Sequence, residues 1–190
     1  DYSESTDIAE IHSMSMEQFA YPYAESFFGD KADKFRFAHL QEALTFVPFG
    51  VAVDEYQHIV YANPDLTPKQ RTAEWKKLEE KYMPWREYGD IDFFAKGGWW
   101  YHKIHIFLYP FYYINYTLTT MGAMEFKKKM NEDKENAWKD YLNLCKTGGS
   151  RGYIETLRFA NLSVPFEKGS VKKAVSYTER ILLEEIDKNN

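Results

Sequence analysis

Cysteine is nearly absent from this chain. Cys145 stands alone among 190 residues, so no disulfide forms within the chain, and nothing in the sequence sets that thiol beside a histidine. Such usage fits a reducing compartment. Basic excess is absent as well: 24 Lys and Arg against 29 Asp and Glu give a net charge of −5, which leaves no electrostatic footprint for nucleic acid. Long apolar runs are missing too. The richest, around Ile104 to Leu118, is too short and too loaded with tyrosine to span a bilayer, and no secretory leader is visible. A soluble, cytoplasmic protein with neither nucleic acid nor membrane as partner is the expectation.

Strand signals are scarce. Sustained period-two alternation is lacking, and no Asn-Gly or Asp-Gly turn joins β-branched runs. Motifs of common chemistries are missing: no Walker loop and no C-x-x-C. None of the five histidines (12, 39, 58, 102 and 105) is followed by Glu, so H-E-x-x-H does not occur.

What the chain does have is aromatic surface, with 15 Tyr, 14 Phe and 5 Trp, enough to demand a well-buried core rather than disorder. Helical signals recur along it, and the pattern predicts a single all-α unit with no repeat or low-complexity linker. A first helix is expected from Asp7 to about Phe28, and a second from Asp33 to about Tyr61, kinked or interrupted by Pro48. Thr67 is an N-cap, with Pro68 at N1 and Gln70 completing a capping box for a helix over Lys69 to Lys81. After a loop punctuated by Pro and Gly, a helix or helix pair covers Trp99 to Met130. Others follow over Lys134 to Leu144 and over about Ser170 to Asp187.

Two stretches could carry chemistry. In "HKIHIFLYPFYYINYTL", a helix would put His105, Tyr109, Tyr112, Tyr113 and Tyr116 on one face, spread over roughly 16 Å of axis at 1.5 Å per residue. Pro110 favours a start or break near Tyr109. Such a face reads either as a core helix whose hydroxyls find backbone or water partners, or as a wall of donors facing a cleft. In "DIAEIHSMSMEQF", Asp7 and Glu10 have capping-box spacing, which would explain Glu10 without any metal. Glu17 lies seven residues on, on the same helix face. Elsewhere, Glu55 and His58 have the E-x-x-H spacing of di-iron bundles, but no second copy exists, so a surface or inter-helix pairing is expected. His39 reads as a packing histidine.

Four segments in order, "DIAEIHSMSMEQF", "ANPDLTPKQRTAEWKKLEEKYMPW", "HIFLYPFYYINYTL" and "GGSRGYIETLRFANL", resemble the C-terminal catalytic region of oligoendopeptidase F-type zinc metallopeptidases, relatives of thimet oligopeptidase. The likeness runs over essentially all 190 residues, with the first and third segments the specific ones. It implies a multi-helix, zincin-type catalytic fragment acting on short peptides with zinc as cofactor. Glu10 matches the third zinc ligand, and Glu17 a second acidic position behind it. Tyr109 and Tyr116 match a pair of tyrosines over the scissile carbonyl, and His105 a histidine preceding that pair. In the thimet branch a glycine-rich loop stands where this chain has "IFLYP". Tyr112 and Tyr113 are expected to pack or to line the substrate subsite.

The resemblance further implies that the two zinc histidines and the general base lie upstream, roughly two dozen residues before Glu10. The chain opens without Met and almost at once in a helical pattern. The expectation is therefore that residues 1–190 are the C-terminal part of one helical peptidase domain, inactive without the upstream part of the same enzyme. The competing reading is an inert helical peptide-binding or structural domain that holds no zinc.

Overall fold

A computed structural model describes residues 5–188. Among them every regular element is helical. The helices are α1 (Thr6–Phe19), α2 (Ala24–Phe28), α3 (Ala32–Ala62), α4 (Pro68–Tyr82), α5 (Asp92–Ala95), α6 (Ile104–Leu108), α7 (Ile114–Glu132), α8 (Lys134–Thr147), α9 (Tyr153–Phe159) and α10 (Ser170–Lys188). None among the described residues is long and apolar enough to cross a membrane.

Where local chemistry is strong, sequence and structure agree. Thr67 caps α4 with the reciprocal bonds of a capping box: Thr67 Oγ1 accepts from the Gln70 amide at 3.3 Å, and Gln70 Oε1 accepts from the Thr67 amide at 2.8 Å. The expected first helix is broken instead. Pro22 has no N–H to give the Gln18 carbonyl, so α1 ends at Phe19 and a 3-10 turn over Tyr21–Tyr23 leads into α2. Pro48 behaves differently. It leaves the Leu44 carbonyl without its helical donor, yet α3 runs through it for 31 residues. Burial of Val47 and Phe49 beside it offsets a local cost of about 3 kcal/mol.

The chain divides into two compact units, one made of Thr45–Thr117 and the other of the chain up to Leu44 and from Leu118 onward. The boundaries fall inside α3 and α7. The Thr45–Thr117 unit has a ring-rich core, in which Trp75 and Tyr56 are fully buried, Tyr56 meets Trp75 edge-on at 5.4 Å and Trp100 lies beside Tyr56 at 5.3 Å. Gly50 of α3 lets Thr117 approach closely, since a Cβ there would stand 1.8 Å from Thr117 Oγ1. The other unit packs Ile8 and Ile11 of α1 against Phe126 of α7, Leu144 of α8 and Leu157 of α9. Its α1 meets α7 at Gly122, where an added Cβ would come within 3.3 Å of Ile11.

Candidate functional site

The tyrosine-rich stretch is not one helix. Backbone helicity stops after Leu108 and resumes at Ile114, so His105 belongs to α6, Tyr116 to the first turn of α7, and Tyr109, Tyr112 and Tyr113 to the connection. Pro110 is the cause. The Tyr112 amide bonds the Tyr109 carbonyl at 3.2 Å across a turn with Pro110 at its second position and Phe111 at its third, where φ is +59°. Proline followed by a positive φ is the type II pattern, which ordinarily selects glycine at that third place. A bulky residue there is strained. The strain is held by α3: the Phe111 amide donates to Gln57 Oε1 at 2.9 Å, and the Phe111 ring lies against His58 and Tyr61.

The break gathers the rings. The imidazole of His105 has Tyr109 at 5.9 Å, Tyr112 stacked at 6.1 Å, Tyr113 edge-on at 5.0 Å and Tyr116 edge-on at 6.1 Å, measured between centroids. Tyr112 and Tyr113 each lie 5.5 Å from Tyr116. Tyr113 is rooted in the core while Tyr109 is half exposed. The hydroxyls of Tyr109, Tyr112 and Tyr113 make no hydrogen bond to the described residues. The single-helix face expected from the sequence is therefore replaced by a broken-helix cluster with the same five members.

Charge around this cluster is positive. Lys103 Nζ sits 4.9 Å from the Tyr113 centroid and 5.2 Å from that of Phe49, a ring that Arg86 also covers at 5.3 Å. Burial, then the nearby Arg86, lower the Lys103 pKa; burial, then Lys103, lower that of His105. His105 is thus held neutral, with one N–H. Its Nδ1 is buried without a partner, so the tautomer protonated at Nε2 leaves a lone pair rather than an N–H unsatisfied there. Lys103, Gln57 and Phe111 escaped the sequence reading because their partners are remote in sequence.

Glu10 and Glu17 belong to the other unit, on α1. The capping box expected from Asp7 and Glu10 is not formed: Ser5 is the N-cap, which puts Asp7 inside the first turn and Glu10 beyond reach of the helix end. Glu10 is half-buried, and its Oε2 accepts from Ser13 Oγ at 2.7 Å. Its other oxygen takes no hydrogen bond from the described residues. Glu17 accepts from His39 Nε2 at 3.1 Å, while His39 Nδ1 and the Tyr21 hydroxyl are 2.7 Å apart and Phe35 stacks on the ring. His39 is a packing histidine with a carboxylate partner.

Two other readings are decided by geometry. Glu55 and His58 do not bond each other: Glu55 takes Lys81 at 2.9 Å together with the Tyr82 hydroxyl, and His58 lies 3.4 Å from Asp54. Cys145, which the sequence set beside no histidine, in fact has Sγ 3.8 Å from His12 Nδ1, a pairing across 133 residues that no local pattern announces.

A metal can be tested against these donors. Among the described residues no group of three His, Cys, Asp or Glu could hold an ion. Glu10, with one carboxylate oxygen uncommitted, suits a single position of a mixed nitrogen and oxygen zinc set.

The profile described as peptidase family M3 matches residues 1–175. Three solved structures are similar. One is described as an oligoendopeptidase F, at 50% identity over 95% of this chain and 32% of its own, with a TM-score of 0.90. PZ peptidase A, solved with an inhibitor, is 46% identical over 96% of this chain and 32% of its own, also at 0.90. An oligoendopeptidase F from Bacillus anthracis is 41% identical over 96% of this chain and 29% of its own, at 0.79. The chain thus spans about a third of the length of these structures. No curated protein matches it.

Proposed function

The chain belongs to peptidase family M3, and from that premise we propose that it is the C-terminal part of a zinc metalloendopeptidase that hydrolyses short peptides. The observation that carries the reading is the ring cluster around His105, in which four tyrosines converge and three hydroxyls have no partner among the described residues. Packing alone does not require that of Tyr113, which is buried, since a buried phenol ordinarily finds a partner.

In this proposal Glu10 provides the third zinc ligand, through the carboxylate oxygen that Ser13 leaves uncommitted. Glu17 acts at one remove, its carboxylate steadied by His39. The two remaining ligands and the general base come from an H-E-x-x-H segment in the upstream part of the same enzyme. When bound, zinc supplies Lewis-acid polarisation of water and of the scissile carbonyl. The chain's own residues meet the charge that develops on the carbonyl oxygen: Tyr116 and Tyr109 donate O–H, and neutral His105 donates Nε2–H. A single donor of this kind is worth about 3 kcal/mol of barrier. Tyr112 lines the subsite, while Tyr113, buried in the core, packs edge-on against the imidazole and fixes its plane. Residues 1–190 by themselves hydrolyse nothing.

The test uses the full-length enzyme, with zinc content and cleavage of a quenched fluorescent peptide measured together. Wild type is expected to lose activity to a chelator and regain it with zinc, while Glu10→Gln loses both metal and turnover. Full zinc and full turnover in Glu10→Gln would overturn the ligand assignment. Peptide binding without hydrolysis by the metal-supplemented wild type would make this an inert peptide-binding domain instead.

A further inference from the structure

Lys127 is an anomaly in the unit that carries Glu10. It lies on α7 and is only 5% exposed, yet no carboxylate and no hydrogen-bond acceptor among the described residues meets its Nζ. The contact it does make is with the face of Tyr21, 3.0 Å from the ring centroid. Lysine is almost never buried to this degree unless paired. The one charge that acts on it measurably, Arg36, has the same sign. Arg36 is already committed, to Glu25 and Asp33 at 2.7 Å each and to the Tyr21 carbonyl at 2.9 Å. Burial, with Arg36 adding to it, brings the Lys127 amine down to about 7.

Lys127 borders a cavity of about 790 Å³ walled by Phe19, Tyr21, Leu40, Met130, Trp138 and Ile181. That volume lies within the range of about 300–1,000 Å³ usual for small-ligand pockets. Gln18, also buried, lines it and has an amide oxygen without a partner among the described residues.

We propose that this cavity is a binding site for an apolar monocarboxylate, with the carboxylate on Lys127 Nζ and the hydrophobic body along the aromatic and aliphatic wall. The uncommitted charge is positive, so the ligand's head is an anion. It is singly charged, because Lys127 is the one buried amine on the lining: Lys134 is exposed, and the Glu185 carboxylate, which also lines the cavity, disfavours a second negative charge. It is apolar beyond the head, because most of the lining surface is apolar, although Gln18, Arg36, Asn131, Lys134 and Glu185 also border it. A folded-back chain segment fits poorly, since its peptide groups would go unsatisfied there. A carboxylate changes a lone buried charge into a paired one, and the penalty for leaving such a group unpaired is the larger effect.

Two sources share this chemistry, a free fatty acid and the C-terminus of an apolar peptide. Dodecanoate, N-acetyl-leucyl-phenylalanine and dodecanol are titrated calorimetrically into the full-length enzyme, below micelle-forming concentrations. At least one of the two carboxylates is expected to bind, and which one names the source. Lys127→Met should weaken that carboxylate at least about tenfold, equivalent to 1.4 kcal/mol. The same variant should leave dodecanol unchanged, and Lys127→Arg should retain the carboxylate. Trp138 fluorescence, lost in Trp138→Phe, reports that binding is in this cavity. Thermal unfolding of Lys127→Met at or above wild type confirms the fold, because the substitution removes a buried charge. Carboxylate affinity indifferent to Lys127→Met, or no binding of either carboxylate to the wild type, overturns the proposal.

Discussion

The two units place their candidate residues in opposite ways. On α1, Glu10 and Glu17 occupy one face of an unbroken helix, and nothing about the backbone there is unusual. In the Thr45–Thr117 unit the candidates sit where a helix fails, around a proline and a bulky residue at positive φ. The difference follows from what each group is proposed to do. A single carboxylate ligand needs only to face outward from a regular surface. Convergent donors need the opposite, because a straight helix would string five residues along roughly 16 Å. The break draws all four tyrosine rings to within 6.1 Å of His105.

That contrast can be broken from either side. The largest effect is expected at Tyr116→Phe, which removes one proposed donor and leaves the ring: kcat of the full-length enzyme should fall about 10²–10³-fold with zinc content unchanged, whereas Glu10→Gln loses both. Gly50→Ala attacks the packing beneath the cluster. A methyl there collides with buried Thr117 and should cost about 1–3 kcal/mol in urea unfolding, whereas Gly122→Ala, whose methyl meets the end of the Ile11 side chain at a tight 3.3 Å, should cost less. Gln57→Leu takes away the acceptor of the Phe111 amide; hydrogen exchange at that amide should accelerate, and kcat should drop more than global stability does. Smallest is Thr67→Ala, away from either site, at about 1 kcal/mol of stability and no change in turnover.

How far the sequence was readable depended on how local the physics was. The Thr67, Pro68 and Gln70 cap was legible in full because its partners are three residues apart. The all-α class was legible for the same reason, summed over many helices. Pro22 was passed over because the apolar pattern continues on both sides of it. The membership of the tyrosine cluster could be written down from residue type, and Pro110 signalled the break, but the geometry could not. It depends on Gln57, 54 residues upstream of the amide it holds. The Asp7 and Glu10 spacing misled, since Ser5 took the N-cap first. Lys127 and Lys103 left no trace in the sequence, because a lysine without a counter-ion looks there like any other.

Pro48 has a consequence for how α3 comes apart. By shape it is a single rod of 31 residues, but its ladder of bonds skips a rung at the Leu44 carbonyl, next to the boundary of the two compact units. Cooperative melting spreads along a helix largely through that ladder, so the gap weakens the coupling between the halves and lets them fray at different temperatures. A probe reading total helicity would then register two gentle slopes where the ribbon suggests one steep fall.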